Sequence, residues 1–126
     1  MRSNGSFQTE VEFTLPKGYL DATGVLHRHG VMRLATAADE ILPLRDARVQ
    51  QNQAYLAIIV LARVITKLGD VQTIDTRVIE GLYASDLDYL QRLYERLNGG
   101  DENEAVLAAG VLEPSAARGF RTVGEA

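Results

Sequence analysis

The chain has 126 residues, which fits a single domain, and its hydrophobic (46%) and charged (24%) fractions are typical of a globular protein. Its formal net charge of −4 argues against nucleic acid as the main partner, because phosphate binding requires a basic surface. It contains no cysteine, which excludes disulfides, cysteine nucleophiles and cysteine-bound zinc.

The first ten residues are polar and lack the apolar core of a signal peptide. The longest apolar run, Ala54 to Ala62, is much shorter than the roughly 20 residues that a membrane-spanning helix needs. We therefore expect a cytoplasmic protein that is not embedded in a membrane.

Two extended segments come first in the chain. Residues 9–16 alternate between apolar and polar side chains, which predicts a half-buried strand that stops at Pro16. Asp21 to Gly24 has turn-forming residues, and residues 25–35 predict a second strand with Leu26, Met32 and Leu34 on one face and Gly30 as a candidate bulge. The two strands predict a β-hairpin, which is marginally stable alone and must pack on helices or pair with another chain.

A short helix is predicted from Thr36 to about Leu42, ending near Pro43. Thr36 is predicted as the N-cap, and Asp39 stands at the third helical position, as in a capping box. Adjacent residues on a helix point about 100° apart, so Asp39 and its neighbour Glu40 do not converge on one substrate atom. We therefore assign these two carboxylates to the helix start and not to catalysis.

A long helix is predicted next, starting at Asp46 or at Asn52, since either side chain can cap it. Lys67 in the last turn and Gly69 just beyond it are typical of a helix stop. The middle of this segment, Ala54 to Ala62, is apolar almost all round, so the helix requires packing partners on more than one side.

Two more helix starts are predicted towards the end of the chain. Asp75 is predicted to cap a short helix over about residues 76–83. Ser85, with Asp88 three residues later, repeats the capping pattern and is predicted to open a helix that runs to Leu97.

The predicted fold class is α+β: an N-terminal β-hairpin packed on a small helical bundle. Residues 1–98 are expected to form a single domain, and residues 99–126 a flexible, acidic C-terminal tail. Five apolar side chains on the predicted helices are assigned to the core or to an interface, without a choice between the two: Ile58, Leu61, Ile65, Leu90 and Tyr94.

The two histidines, His27 and His29, are two residues apart in a predicted strand and so share a face, where such a pair can bind a metal. No third ligand is evident, so no metal or other cofactor is assigned. A small metal- or ligand-binding regulatory module that uses this pair is the alternative function. The sequence has no catalytic triad pattern, P-loop or dinucleotide-binding glycine motif, so we expect no enzymatic activity.

Three stretches, taken in order, resemble the small tail-assembly or baseplate-assembly proteins of contractile phages and of phage-tail-like contractile injection systems. They are FTLPKGYLDATGVLHRHGVMRLATAADEI (Phe13 to Ile41), RVQQNQAYLAIIVLARVITKLG (Arg48 to Gly69) and IEGLYASDLDYLQRLYERLN (Ile79 to Asn98). The resemblance covers most of the chain. None of its motifs is a catalytic signature, so its specificity lies in their order.

The resemblance implies a non-enzymatic assembly factor (a tail or baseplate assembly chaperone) or a minor structural subunit of the particle. The implied partners are tube, tape-measure or baseplate proteins, and a homo-oligomer is also open. The implied location is the cytoplasm or the assembled particle, and no active-site residue is carried over. We expect binding by strand addition or by helix-in-groove contacts.

Overall fold

The computed structural model describes residues 9–99 of the chain. They form β1 (Glu10–Leu20), β2 (Leu26–Arg33), α1 (Ala37–Ile41), a 3-10 helix (Leu42–Arg45), α2 (Ala47–Gln51), α3 (Tyr55–Val64), β3 (Ile65–Leu68), α4 (Thr76–Glu80) and α5 (Ala84–Asn98). The fold class is α+β, as the sequence predicts. Among these helices none is long and apolar enough to cross a membrane. The predicted C-terminal tail lies outside the described residues, apart from Gly99.

The strands form one antiparallel sheet in the order β1-β2-β3. The predicted hairpin is therefore present, and β2 is the central strand. Asp21 holds the turn of the hairpin, because its Oδ1 accepts hydrogen bonds from the backbone N–H groups of Thr23 (2.9 Å) and Val25 (3.0 Å). Phe13 and Leu15 alternate with exposed residues and are buried, as a half-buried strand requires.

The prediction that Pro16 ends the first strand is wrong, because β1 continues to Leu20. The pairing of β1 with β2 is interrupted between Thr14 and Tyr19, and Pro16 lies within this interruption. Because Pro16 lies in this interruption of an edge strand, its missing N–H removes no hydrogen bond from the ladder.

A buried aspartate of α5 holds the interrupted part of β1. The side chain of Asp86 accepts hydrogen bonds from the backbone N–H groups of Lys17 (2.9 Å) and Gly18 (2.7 Å). Asp86 is fully buried, and Gly18 has a φ of 108°, a conformation that favours glycine. These contacts fix α5 against the sheet.

The prediction of a helix that continues to Lys67 and stops at Gly69 is also wrong. Helix α3 ends at Val64, and the next four residues form β3 on the free edge of β2. Residues 64–66 are β-branched and favour an extended backbone, and pairing with β2 provides partners for their peptide groups. Gly69, with a φ of 53°, follows the strand, and its N–H donates to the carbonyl oxygen of His29 (2.7 Å).

The predicted long helix is divided into α2 and α3, and of the two candidate caps only Asp46 is an N-cap. The prediction for Asn52 is wrong, because the N-cap of α3 is Ala54, which forms no side-chain capping hydrogen bond. Asp46 is the N-cap of α2, where its side chain accepts a hydrogen bond from the backbone N–H of Arg48. Asn52 follows α2, and its Oδ1 accepts a hydrogen bond from the backbone N–H of Ala54, immediately before α3. The cap at Asp46 satisfies an N–H group that α2 itself leaves without a partner.

One hydrophobic core contains side chains from the three strands and from helices α2 to α5. Four residues of the predicted core-or-interface set are buried in it: Leu61, Ile65, Leu90 and Tyr94. Ile58 is half-buried and packs against the same core. Helix α3 contacts α1, α4 and α5, so its apolar surface has partners on several sides.

The prediction that Ser85 caps the last helix is wrong. Helix α5 begins one residue earlier, at Ala84, and its N-cap, Tyr83, forms no side-chain capping hydrogen bond. Asp88 is therefore not the acid of a capping box; its carboxylate accepts a hydrogen bond from Arg92 one turn later (2.9 Å). The early start places Asp86 where it reaches the backbone of β1.

Candidate functional site

Helix α1 is inverted relative to an ordinary surface helix. Asp39 is 2% exposed and Glu40 is half-buried, whereas Ala37, Ala38 and Ile41 are exposed. A surface helix normally buries its apolar stripe and leaves its charged side in water. The contacts that hold this orientation, and the surface that results from it, therefore form the candidate site.

A capping box fixes the first turn of α1. The backbone N–H of Thr36 donates to Oδ2 of Asp39 (2.8 Å), and the backbone N–H of Asp39 donates to Oγ1 of Thr36 (3.4 Å). The Thr36 hydroxyl also donates to Oδ2 (3.1 Å). The capping box that the sequence predicts is therefore confirmed, and the side chain of Asp39 is turned towards the protein.

Two arginines from other elements complete the surroundings of Asp39. Arg33 of β2 binds it in a bidentate manner, with Nη1 2.7 Å from Oδ2 and Nη2 3.1 Å from Oδ1. Nε of Arg63, on α3, donates to Oδ1 (2.9 Å). Arg33 also donates to the carbonyl oxygen of Arg63 (2.9 Å), so one buried carboxylate joins β2, α1 and α3.

The charge of Asp39 is strongly stabilised. The hydrogen bonds from Arg33 hold its pKa well below the usual range, although burial opposes this, and the bonds from Thr36 and Arg63 lower it further. Both carboxylate oxygens accept several hydrogen bonds, which leaves little capacity to take a proton from a substrate. Asp39 is therefore suited to holding structure and poorly suited to general-base chemistry.

Helix α5 holds the other polar side chain of α1. The hydroxyl of Tyr94 donates to Oε2 of Glu40, and burial together with this carboxylate raises the pKa of Tyr94. Oδ1 of Asn98 accepts a hydrogen bond from the backbone N–H of Ala35 (2.8 Å), just before α1. Two residues of α5 thus position α1, one through the side chain of Glu40 and one through the backbone just before the helix.

The inverted helix presents an exposed apolar surface. It consists of Ala37, Ala38, Ile41, Leu42 and Leu44, and we call it the α1 surface. The first four pair at i and i+4, which places them on one helical face, and Leu44 follows them in the 3-10 helix. Ile41, Leu42 and Leu44 are 56%, 44% and 47% exposed, whereas Pro43 between them is buried.

A second group of exposed aliphatic side chains lies at the hairpin tip, which we define as Leu20, Val25 and Leu26. Each is about half exposed, and Leu20 is paired with Leu26 across the two strands. Leu26, which the sequence pattern places on one face with Met32, is therefore exposed, whereas Met32 is buried. The interruption in β1 shifts the register, so that His27 is buried in place of Leu26.

The two histidines are in different environments. Nε2 of His27 is 2.8 Å from Oδ2 of Asp21, and Nδ1 of His27 accepts a hydrogen bond from the backbone N–H of Asp70 (3.2 Å), so both ring nitrogens have partners. His29 is exposed and its Nδ1 is 3.1 Å from the Thr14 hydroxyl. Residues 9–99 contain no group of three or more side chains that could hold a metal ion.

A groove of about 650 Å³ crosses the sheet beside α5, lined by Glu12, Thr14, His29, Lys67 and Tyr89 among others. Thr14 and His29 bring a hydroxyl and an imidazole together there, as a nucleophile and a base would be. Within residues 9–99, no carboxylate is bonded to the other ring nitrogen of His29, so the orienting member of a triad is not provided.

Comparisons of the chain with known protein families, with curated proteins and with solved structures find no match.

Sequence reasoning missed the α1 surface because it examined only the acids of α1. The signal was present, since Ala37, Ala38, Ile41 and Leu42 form an apolar i, i+4 pattern opposite Asp39. The pattern alone, however, predicts that this face is buried. Only the contacts of Asp39 with Arg33 and Arg63 show that the apolar face of α1 faces solvent.

Proposed function

We propose that the protein is a non-enzymatic binding module whose α1 surface contacts another protein. The observation that carries the proposal is the inversion of α1, which keeps Ile41, Leu42 and Leu44 in water while a capped, ion-paired carboxylate is buried. Exposed clusters of large aliphatic side chains commonly mark contact sites. Full burial of such a side chain is worth roughly 1.5–3 kcal/mol, so covering three half-exposed ones contributes roughly 2–4 kcal/mol.

Within that class, we propose an assembly factor or a minor structural subunit of a contractile phage-tail-like injection system. The resemblance of residues 13–98 to small tail- and baseplate-assembly proteins supports this assignment. Its partners are then tube, tape-measure or baseplate proteins, met in the cytoplasm or in the assembled particle. The α1 surface is suited to a helix-in-groove contact, in which a short apolar helix face enters a complementary groove.

The use of the buried polar groups also supports a binding role. Asp39 joins three elements, Asp86 holds β1, and His27 fixes the turn of the hairpin to the loop after β3. Each of these groups has partners within the fold. Their contacts account for their burial without a substrate.

The proposal is tested in cells that assemble the particle, with affinity-tagged full-length chain. We expect tube, tape-measure or baseplate proteins to copurify with the wild type, and recovery to fall at least tenfold for an Ile41→Ser and Leu44→Ser variant. The matched control is Leu20→Ser and Leu26→Ser at the hairpin tip, which removes equally exposed side chains and should keep the partner. Equal recovery with both variants would contradict the proposal, provided that circular dichroism shows both to be folded.

A protein inventory of purified particles separates the two roles. A structural subunit should remain in particles at a fixed ratio to the other components. An assembly chaperone should be bound to its partner in the cytosol and be lost from finished particles. Absence from both fractions would reject the injection-system assignment and leave only the binding module.

A further inference from the structure

The described chain ends beside the α1 surface. Asn98 is the last residue of α5, its Oδ1 accepts a hydrogen bond from the backbone N–H of Ala35, and its Nδ2 donates to the carbonyl oxygen of Tyr94 (3.0 Å). Ala35 stands two residues before the first residue of α1. The residues that follow Asn98 therefore start close to the α1 surface.

The sequence that follows has the composition of a partner for that surface. Residues 101–104 read DENE, and residues 105–112 read AVLAAGVL, an uncharged apolar segment followed by Glu113. Both segments lie outside the described residues. The apolar segment matches the chemistry of the α1 surface, and its acidic flanks match Arg45, an exposed residue that has no ion-pair partner among residues 9–99.

The connection is long enough to bring these parts together. Residues 100–104 can span about 17 Å when extended, at roughly 3.4 Å per residue. The α1 surface, from Ala37 to Leu44, is roughly 13 Å long, at about 1.5 Å per residue in the α-helix and about 2 Å in the 3-10 helix. A segment starting at Ala105 can therefore reach every part of this surface.

We infer that residues 105–112 of the same chain cover the α1 surface until a protein partner displaces them. This inference rests on the proposed function, because it assigns a regulator to the same surface. A connection of only five residues gives the segment an effective concentration in the millimolar range, so a free partner must bind more tightly than the segment does. The proposed orientation runs from Ala37 towards Leu44, because Asn98 contacts the backbone just before α1, and it brings Glu113 towards Arg45.

Disulfide trapping tests the inference, since the native chain contains no cysteine. The full-length variant Leu44→Cys with Leu112→Cys is oxidised at low micromolar concentration, and the bond is assigned by non-reducing electrophoresis and mass spectrometry. The control, Leu26→Cys with Leu112→Cys, places the partner cysteine on the hairpin tip, which is equally exposed. We expect an intrachain disulfide to form at least tenfold faster in the first variant.

Three results would overturn the inference: equal rates in the two variants, no disulfide in either, or mainly interchain disulfides. The last would assign the surface to a second copy of the chain. A second pair, Ile41→Cys with Leu107→Cys, protects against a single poorly folded variant, and it should behave as the first pair does.

Failure of this inference is distinguishable from failure of the proposed function. If no intrachain disulfide forms but the α1-surface variant still loses its particle partner, only the cover by residues 105–112 is rejected. If the disulfide forms but the variant keeps its partner, the cover is supported and the proposed binding surface is rejected.

Discussion

Replacing Asp39 with alanine should destabilise the protein more than replacing Glu40, the other charged residue of α1. The substitution removes the acceptor of the bidentate bond from Arg33, of the bond from Arg63 and of two bonds from Thr36. It leaves two arginines facing each other without their shared carboxylate. The fold then loses the contact that joins β2, α1 and α3.

The magnitude follows from how buried each partner is. Removing one member of a fully buried ion pair costs about 3–5 kcal/mol, since the other charge is left without a partner. Here Asp39 is buried, but the side chains of Arg33 and Arg63 are 34% and 37% exposed, so water can solvate both after the substitution. We therefore expect the free energy of unfolding to fall by about 2–4 kcal/mol.

Urea unfolding of the full-length chain at pH 7, followed by far-UV circular dichroism, measures this loss. The matched control is Asp88→Ala, which removes an equally charged residue from an exposed pair with Arg92 and should cost less than about 0.5 kcal/mol. A loss below about 1 kcal/mol for Asp39→Ala, or one equal to the control, would refute the role assigned to this carboxylate.

The contribution of Asp39 should also depend on pH with a defined sign. Its pKa in the folded protein lies well below the value of about 3.9 in an unfolded chain, so the unfolded state takes up the proton first as the pH falls. The stabilisation is therefore complete above about pH 5 and declines below about pH 4. The difference in stability between the wild type and Asp39→Asn should narrow in that range. A difference that is the same at pH 6 and pH 3.5 would show that the carboxylate charge is not the cause.

Two further substitutions, each with its own control substitution, test the local geometry by thermal or urea unfolding. Thr36→Ala removes the cap of α1 and should cost about 0.5–2 kcal/mol, whereas Ser85→Ala, at a position that forms no cap, should cost less than about 0.5 kcal/mol; similar losses would contradict the cap assignment. Gly30→Ala would place a Cβ 2.3 Å from a backbone oxygen of β3 and should cost about 3 kcal/mol or more. The control is Gly24→Ala, at a φ of 92° with open space around it, which should cost about 1–2 kcal/mol. A loss of stability for Gly30→Ala that is smaller than the loss for Gly24→Ala would argue against the β2–β3 pairing.

Sequence reasoning was reliable where the partners lie within a few residues of each other. The capping box of Thr36 and Asp39 and the turn at Asp21 are local, so the letters were enough to predict them. A lysine in the last turn with a glycine just beyond it, as at Lys67 and Gly69, predicts the end of a helix. The strand that forms there depends on the free edge of β2, which no local pattern reveals.

The helix start near Ser85 shows the same limit in another form. Its spacing to Asp88 satisfies the capping pattern, but the fold uses Asp86 to bind the backbone of β1, and the helix begins earlier. The partners of Asp86 are Lys17 and Gly18, more than 60 residues away in the chain. A residue of that kind is recognisable only once the elements are packed.

The sequence by itself determined the α+β class, the hairpin and the helix caps at Thr36 and Asp75, because periodicity, turns and caps act over short distances along the chain. Tertiary structure alone decided that Ile65 begins a strand and that α1 exposes its apolar face. The physical reason is that an apolar helix face is usually buried, and here the buried side is set by Arg33 and Arg63, which reach Asp39 from two other elements. The neighbouring acids Asp39 and Glu40 thus orient a surface for another protein segment.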